Sequence, residues 1–130
     1  MIYIYYLDGC YYSNNALQQM IQLNKSKLTS KEIDKLNNQD FVFLKKKKNL
    51  KVPFNVELVY HRNKSAYKRK NKMMTFPQIF NIEGKRRTKI GGNDDIEQLF
   101  SEIRYRKQIE TKIKNKGLSK KTIDRISLVL

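Results

Sequence analysis

The chain has 130 residues, a formal charge of +16, one cysteine and one histidine, which is room for one domain with a modest core and for no internal disulfide. Cys10 and His61 lie far apart without further Cys or His partners; this excludes a zinc site, and it excludes a Cys/His/Asp hydrolase unless His61 meets Cys10 in space. Lys, Asn and charged residues interrupt every region, so neither a membrane span nor a signal peptide is expected, and the chain reads as intracellular, in the reducing cytoplasm.

The run Ile2, Tyr3, Ile4, Tyr5, Tyr6 is β-branched or aromatic throughout and predicts a buried strand, broken at Asp8 and Gly9. From Ser13 onward Ala16, Leu17, Met20, Ile21 and Leu23 recur at helical spacing. Cys10 therefore stands where a strand ends and a helix begins. Open N–H groups and the positive end of a helix dipole favour a thiolate there, so the position suits sulfur chemistry. The competing role is a small apolar filler in the core.

After a polar stretch at residues 24–27, Ser30, Lys31, Glu32 and Ile33 predict a short second helix capped by Thr29 or Ser30. Phe41, Val42, Phe43 and Leu44 make a brief apolar run that ends in four lysines. Val56, Leu58 and Tyr60 alternate with Asn55, Glu57 and Val59, which predicts a strand over residues 54–60 that we place at the centre of the sheet. Residues 63–72 are basic and fit a short helix or a loop, since no apolar face is wide enough to decide.

Ile79, Phe80 and Ile82 predict a strand behind Pro77. Glu83 and Gly84 then turn the chain, and Arg86 to Ile90 return as the other arm of a hairpin. Gly91 and Gly92 lead through Asn93, Asp94 and Asp95 into a helix with the apolar face Ile96, Leu99, Phe100, Ile103. Such a start leaves N–H groups open to an anion, and is also an ordinary turn and cap. The helix is expected to run on through Ile109 and Ile113 to Gly117, followed by a short helix capped by Ser119 with Ile123, Ile126 and Leu130 apolar.

The charge is unevenly spread. Residues 1–44 hold four lysines against four acids; residues 45–74 hold eleven Lys and Arg against Glu57 alone, giving +10. Residues 75–103 come to −1, with four cations against five acids, and residues 104–130 to +7, with nine against two. A neutral fold with basic attachments is the expected organisation. Those segments can attract nucleic acid, an anionic membrane or an acidic protein, or simply form a solvated lysine-rich surface.

Three stretches in order, Cys10-Tyr-Tyr-Ser13 after a strand, Thr75-Phe-Pro-Gln-Ile-Phe80, and Ile90-Gly-Gly-Asn-Asp-Asp95 before a helix, resemble the glutaredoxins, the glutathione-linked branch of the thioredoxin fold. The resemblance covers residues 1–24 and 54–104. It implies an α/β, thioredoxin-like fold with a central mixed four-stranded sheet flanked by helices. It also implies a glutaredoxin-like domain over residues 1–104, with residues 25–53 as an insertion and residues 105–130 as a basic C-terminal extension.

By the same resemblance Cys10 is the attacking cysteine and Tyr12 the aromatic that lines a glutathione groove. Pro77 follows a cis peptide, and the backbone of Phe76 pairs with the cysteinyl part of glutathione. Gly92, Asn93, Asp94 and Asp95 hold the γ-glutamyl end, with open N–H groups for its carboxylate and Asp95 foremost for its ammonium. Three departures matter. Ser13 stands in place of the family's second cysteine, which implies a monothiol route using a second glutathione. Leu7 stands where a lysine is usual, so recognition of the glycyl carboxylate loses its usual cation. Tyr11 replaces the glycine of members that share an iron–sulfur cluster between two subunits, which ranks exchange above cluster binding; Cys10 would be the ligand if a cluster is bound.

The implied function is a glutathione-dependent oxidoreductase acting on glutathionylated or disulfide-containing proteins. The alternatives are a redox-inactive scaffold that binds nucleic acid or an acidic partner through its basic segments, and a cluster carrier.

Overall fold

The computed structural model describes residues 1–105 and 117–130. Strand β1, Ile2–Leu7, sets the architecture, because its side chains alternate between two differently covered faces. Ile2, Ile4 and Tyr6 join the main core, while Tyr3, Tyr5 and Leu7 pack on the other side of the sheet. Together with β2, Phe54–Val59, β3, Gln78–Glu83, and β4, Arg86–Gly91, it forms a four-stranded mixed sheet in the order β2-β1-β3-β4. β1 pairs parallel with β2 and antiparallel with β3, and β4 returns antiparallel to β3.

The parallel pairing of β1 and β2 requires a long crossover. It contains helix α1, Tyr11–Leu23, and helix α2, Ser30–Asn37. α1 buries Ala16, Leu17, Met20, Ile21 and Leu23, the face its spacing predicts. α2 opens with a full capping box between Thr29 and Glu32, and Lys47 bridges to Glu32 at 2.8 Å. Leu28, Leu36, Phe41, Leu44, Leu50 and Val52 enter the same core as β1 and α1. The buried Asn24 fixes this segment by accepting the Val52 N–H at 2.9 Å and donating to its carbonyl at 3.0 Å.

Helix α3, Lys64–Asn71, lies against the opposite face through Tyr67. Helix α4, Asn93–Arg104, packs Ile96, Leu99, Phe100 and Ile103 into the main core. Helix α5, Lys120–Val129, caps on Ser119 and buries Ile126 completely; that burial is worth about 1.5–3 kcal/mol. Asn81 Nδ2 donates to the Gly117 carbonyl at 3.0 Å, and the Ser119 N–H to Glu83 Oε1 at 3.1 Å, so residues 117–130 dock on the end of the β3–β4 hairpin. Among the described residues no helix is long and apolar enough to cross a membrane.

Several expectations need correction. The strand at residues 54–59 is an edge, and β1 and β3 are the inner strands. The reason is chemical: β2 carries half-buried Asn55 and Glu57, whereas β1 carries no polar group beyond tyrosine hydroxyls. The run at residues 41–44 becomes a 3₁₀ turn, Val42–Lys45, with Phe41 and Leu44 turned inward. α1 begins at Tyr11 rather than Ser13. The hairpin turns on Gly84 and Lys85, since Glu83 still pairs with Arg86. α4 ends at Arg104, and the expected continuation through Ile109 and Ile113 lies outside the described residues.

Candidate functional site

Cys10 is the N-cap of α1, with extended backbone at φ −80° and ψ 124°. Its N–H donates to the Leu7 carbonyl at 3.0 Å, closing the turn after β1, and its carbonyl accepts the Asn14 N–H at 3.0 Å, opening the helix. No acidic side chain lies in the first turn of α1. The positive end of the helix dipole therefore meets no carboxylate from the first turn of its own helix. Cys10 is half-buried and packs against the cluster of Tyr5, Val59, Phe76 and Phe80. Burial pushes the Tyr6 hydroxyl above its ordinary range, with Cys10 and Asp8 adding to the effect, so the thiol also lies near that ring.

Two neighbours are structural. Ser13 is fully buried and its Oγ accepts the Leu7 N–H at 3.1 Å, which ties α1 to the end of β1. The His61 Nε2 lies 2.9 Å from the Asp8 carbonyl, so the ring braces the turn ahead of Cys10 and makes no hydrogen bond to the thiol.

Beside this helix start opens a cleft of about 580 Å³. Tyr12, Phe76, Gly92, Asn93, Asp94 and Asp95 all line it. Six of the eight residues singled out in the sequence thus meet in one concavity, although they come from α1, the loop before β3 and the start of α4. Cys10 and Pro77 do not line it. The Phe76–Pro77 peptide is cis. The Pro77 carbonyl faces Gly92, 3.7 Å from where a Cβ on that residue would stand. The N–H and C=O of Phe76 have no hydrogen-bond partner among the described residues. An unpaired peptide edge of this kind can take an added extended segment.

At the far end Gly92 is the N-cap of α4, and its N–H donates to Asp95 Oδ2 at 2.8 Å. Glycine has no side chain to complete a capping box, so the N–H groups of Asn93 and Asp94 stay open. The backbone at Gly91 has φ +129°, and a Cβ there would collide with the Asp95 carboxylate. Asn93 is buried, with Oδ1 accepting from Gln19 Nε2 at 3.3 Å, which joins α4 to α1. One oxygen of Asp95 is committed to Gly92, whereas the exposed Asp94 carboxylate has no partner among the described residues.

The sequence reading missed Lys72, Met73, Met74 and Lys89, and did not assign Thr75 and Gly91 of its own motifs to the site; these six complete the lining. Lys72 ends α3 in the left-handed conformation, φ 52°, and its carbonyl accepts from Lys89 Nζ at 3.0 Å. Period-two alternation in β4 was the available signal for Lys89, since it puts Arg87 and Lys89 on one face. Chemically the cleft offers a half-buried thiol nearby, an unpaired peptide edge, an N-terminal nest with a carboxylate, and two ammonium groups. Such a set suits an extended zwitterionic ligand bearing sulfur.

Among the described residues no group of three or more His, Cys, Asp and Glu side chains is placed to hold a metal ion. No family model, curated protein or solved structure matches the chain.

Proposed function

We propose that the chain has a thioredoxin-like fold and is a glutathione-dependent thiol–disulfide oxidoreductase of monothiol, glutaredoxin-like type. The observation that carries this reading is the single cleft beside the Cys10 helix start, where Tyr12, Phe76 and the Gly92–Asp95 turn converge. The strand-helix-strand-helix-hairpin-helix order around it supports the same reading.

In this reading the Cys10 thiolate attacks the glutathione sulfur of a mixed disulfide. A bond forms between Cys10 and glutathione, the substrate–glutathione bond breaks, and the substrate leaves as a thiolate that takes a proton. A second glutathione, as thiolate, attacks the glutathione sulfur on Cys10. Oxidised glutathione departs and the Cys10 thiolate returns; in net, one reduced glutathione converts the mixed disulfide into the free substrate thiol and oxidised glutathione.

The glutathione backbone lies along Phe76 as an added strand. Its γ-glutamyl carboxylate meets the open N–H groups of Asn93 and Asp94, and its ammonium meets Asp94 with the second oxygen of Asp95. Lys72 and Lys89 supply the cation that Leu7 cannot. A cluster shared between two copies ranks below exchange, since Tyr11, 74 % exposed beside Cys10, is bulkier than the glycine of cluster-binding glutaredoxins.

The test is reduction of the mixed disulfide of glutathione and 2-hydroxyethanethiol, with turnover followed by coupled reduction of oxidised glutathione. The reading requires turnover that is lost in Cys10→Ser.

A further inference from the structure

We infer that the substrates of this site are acidic proteins: glutathionylated cysteines flanked by carboxylates, drawn in along a strip of unpaired cations that ends in the cleft. The inference rests on the reading of Cys10 as an exchanger of glutathione. Lys68, Arg69, Lys70 and Lys72 come from α3 and its cap, and Arg87 and Lys89 come from β4. Two contacts weld the groups into one surface: Arg87 Nη2 donates to Asn71 Oδ1 at 2.9 Å, and Lys89 Nζ to the Lys72 carbonyl at 3.0 Å.

Among the described residues these cations have no carboxylate partner. Among the described residues the one ion pair is Lys47–Glu32, elsewhere in the fold. Glu57, the acid on the same face of the sheet, instead accepts the hydroxyls of Tyr3 at 2.8 Å and Tyr67 at 2.5 Å. Part of the strip is also held in place. The Arg87 guanidinium lies 3.7 Å from the Phe80 ring centroid and donates to the Tyr5 hydroxyl, and the Lys70 ammonium lies over Tyr67 at 5.5 Å. Charges already ordered lose less entropy when a partner arrives.

The direction of the strip identifies its use. Lys72 and Lys89 belong both to the strip and to the lining of the cleft, so a polyanion lying along α3 reaches the cleft. The rim favours a protein over a nucleic acid. Met74, 79 % exposed in the lining of the cleft, offers apolar contact to a polypeptide. Tyr5, the ring beneath Arg87, is 6 % exposed and offers no open face for base stacking.

The experiment compares two glutathionylated peptides of one length, one with Asp and Glu around the cysteine and one with Asn and Gln. The neutral mixed disulfide of glutathione and 2-hydroxyethanethiol is run alongside. At low salt the acidic peptide is expected to show kcat/KM roughly tenfold or more above its neutral twin. That ratio should collapse toward one as ionic strength rises and the screening length falls below about 10 Å. Lys68→Gln with Arg69→Gln, both outside the cleft, should cut the ratio several-fold and leave turnover of the small disulfide unchanged.

If the small disulfide is not reduced at all, the reading of Cys10 fails and takes the inference with it. If it is reduced but the two peptides are turned over equally at low salt, the inference alone is overturned. Salt-sensitive binding of a single-stranded oligonucleotide, with no preference between the peptides, would assign the strip to nucleic acid and overturn it as well. The wild-type comparison of the peptides decides the matter even if the double variant fails to fold.

Discussion

The carbonyl oxygen of Pro77 faces Gly92, 3.7 Å from where a Cβ on Gly92 would stand. That is an ordinary contact, and the backbone of Gly92 at φ −100° is open to any residue. Gly92→Ala should therefore fold with unchanged stability and raise KM for glutathione several-fold by crowding the groove. Gly91→Ala should behave in the opposite way. It forces an L side chain to φ +129° and into the Asp95 carboxylate, a cost of about 1–3 kcal/mol in urea unfolding.

The two aspartates at the head of α4 have separable roles. Asp95 accepts the Gly92 N–H at 2.8 Å, so Asp95→Asn should lower stability by about 1 kcal/mol through the weakened cap. Asp94 has no partner among the described residues, and Asp94→Asn should leave the melting temperature unchanged. It should raise KM for glutathione roughly tenfold, the effect of losing one charge-assisted contact. Steady-state kinetics with a thermal melt on each variant separates the two.

Much of this was legible in the residues themselves, and the rest was not for identifiable reasons. β1, α1 and α4 were visible because each presents an apolar face, Ile2 with Ile4, Leu17 with Met20 and Ile21, Ile96 with Leu99 and Ile103, and the hairpin was visible through the turn residue Gly84. The edge position of β2 was not, since the alternation of Val56 with Asn55 and Glu57 reports half-burial but not which strand lies alongside. Val42 to Lys45 read only as an apolar run, because four residues are too few to separate a 3₁₀ turn from a strand. At the site, Tyr12, Phe76 and the Gly92–Asp95 turn were found through short local motifs. Lys72 and Lys89 were missed because their meeting spans 17 residues and is created by α3 crossing the sheet. The same limit hid the commitment of one Asp95 oxygen to Gly92.

Docking of α5 should depend on pH through Glu83. Burial pushes this carboxyl up, but hydrogen bonds from Asn81, from the Ser119 backbone and side chain, and from Thr122 outweigh burial and hold it below the usual carboxylate value. A depressed carboxyl contributes stability above its unfolded value, near 4.5, and that contribution is lost as pH falls through the folded value. Amide protection factors in residues 119–129 should therefore be high at pH 6 and fall by pH 3 ahead of those in β1. Glu83→Ala should cost about 1–3 kcal/mol and abolish the difference.

Tyr67 gives a second, alkaline signature. Its hydrogen bond to the Glu57 carboxylate is the chief cause that pushes its hydroxyl up to about 12, and Tyr3, raised mainly by burial and then by the same carboxylate, lies higher still. A raised tyrosine contributes stability in full below its unfolded value, about 10, and loses it as pH climbs through the folded value. Ultraviolet titration should show Tyr67 still protonated at pH 11, with stability declining between about pH 10 and 12. Glu57→Gln should return Tyr67 toward about 10.

The central claim is that Cys10 carries glutathione between a mixed disulfide and a second glutathione. Its most direct measurement is the mass of the protein after incubation with excess oxidised glutathione, followed by addition of reduced glutathione, in wild type and Cys10→Ser. The account predicts a gain of one glutathione on wild-type Cys10 that reduced glutathione removes, with no gain in the variant. A wild-type protein that gains no glutathione, or a variant that still reduces the mixed disulfide at the wild-type rate, would contradict it.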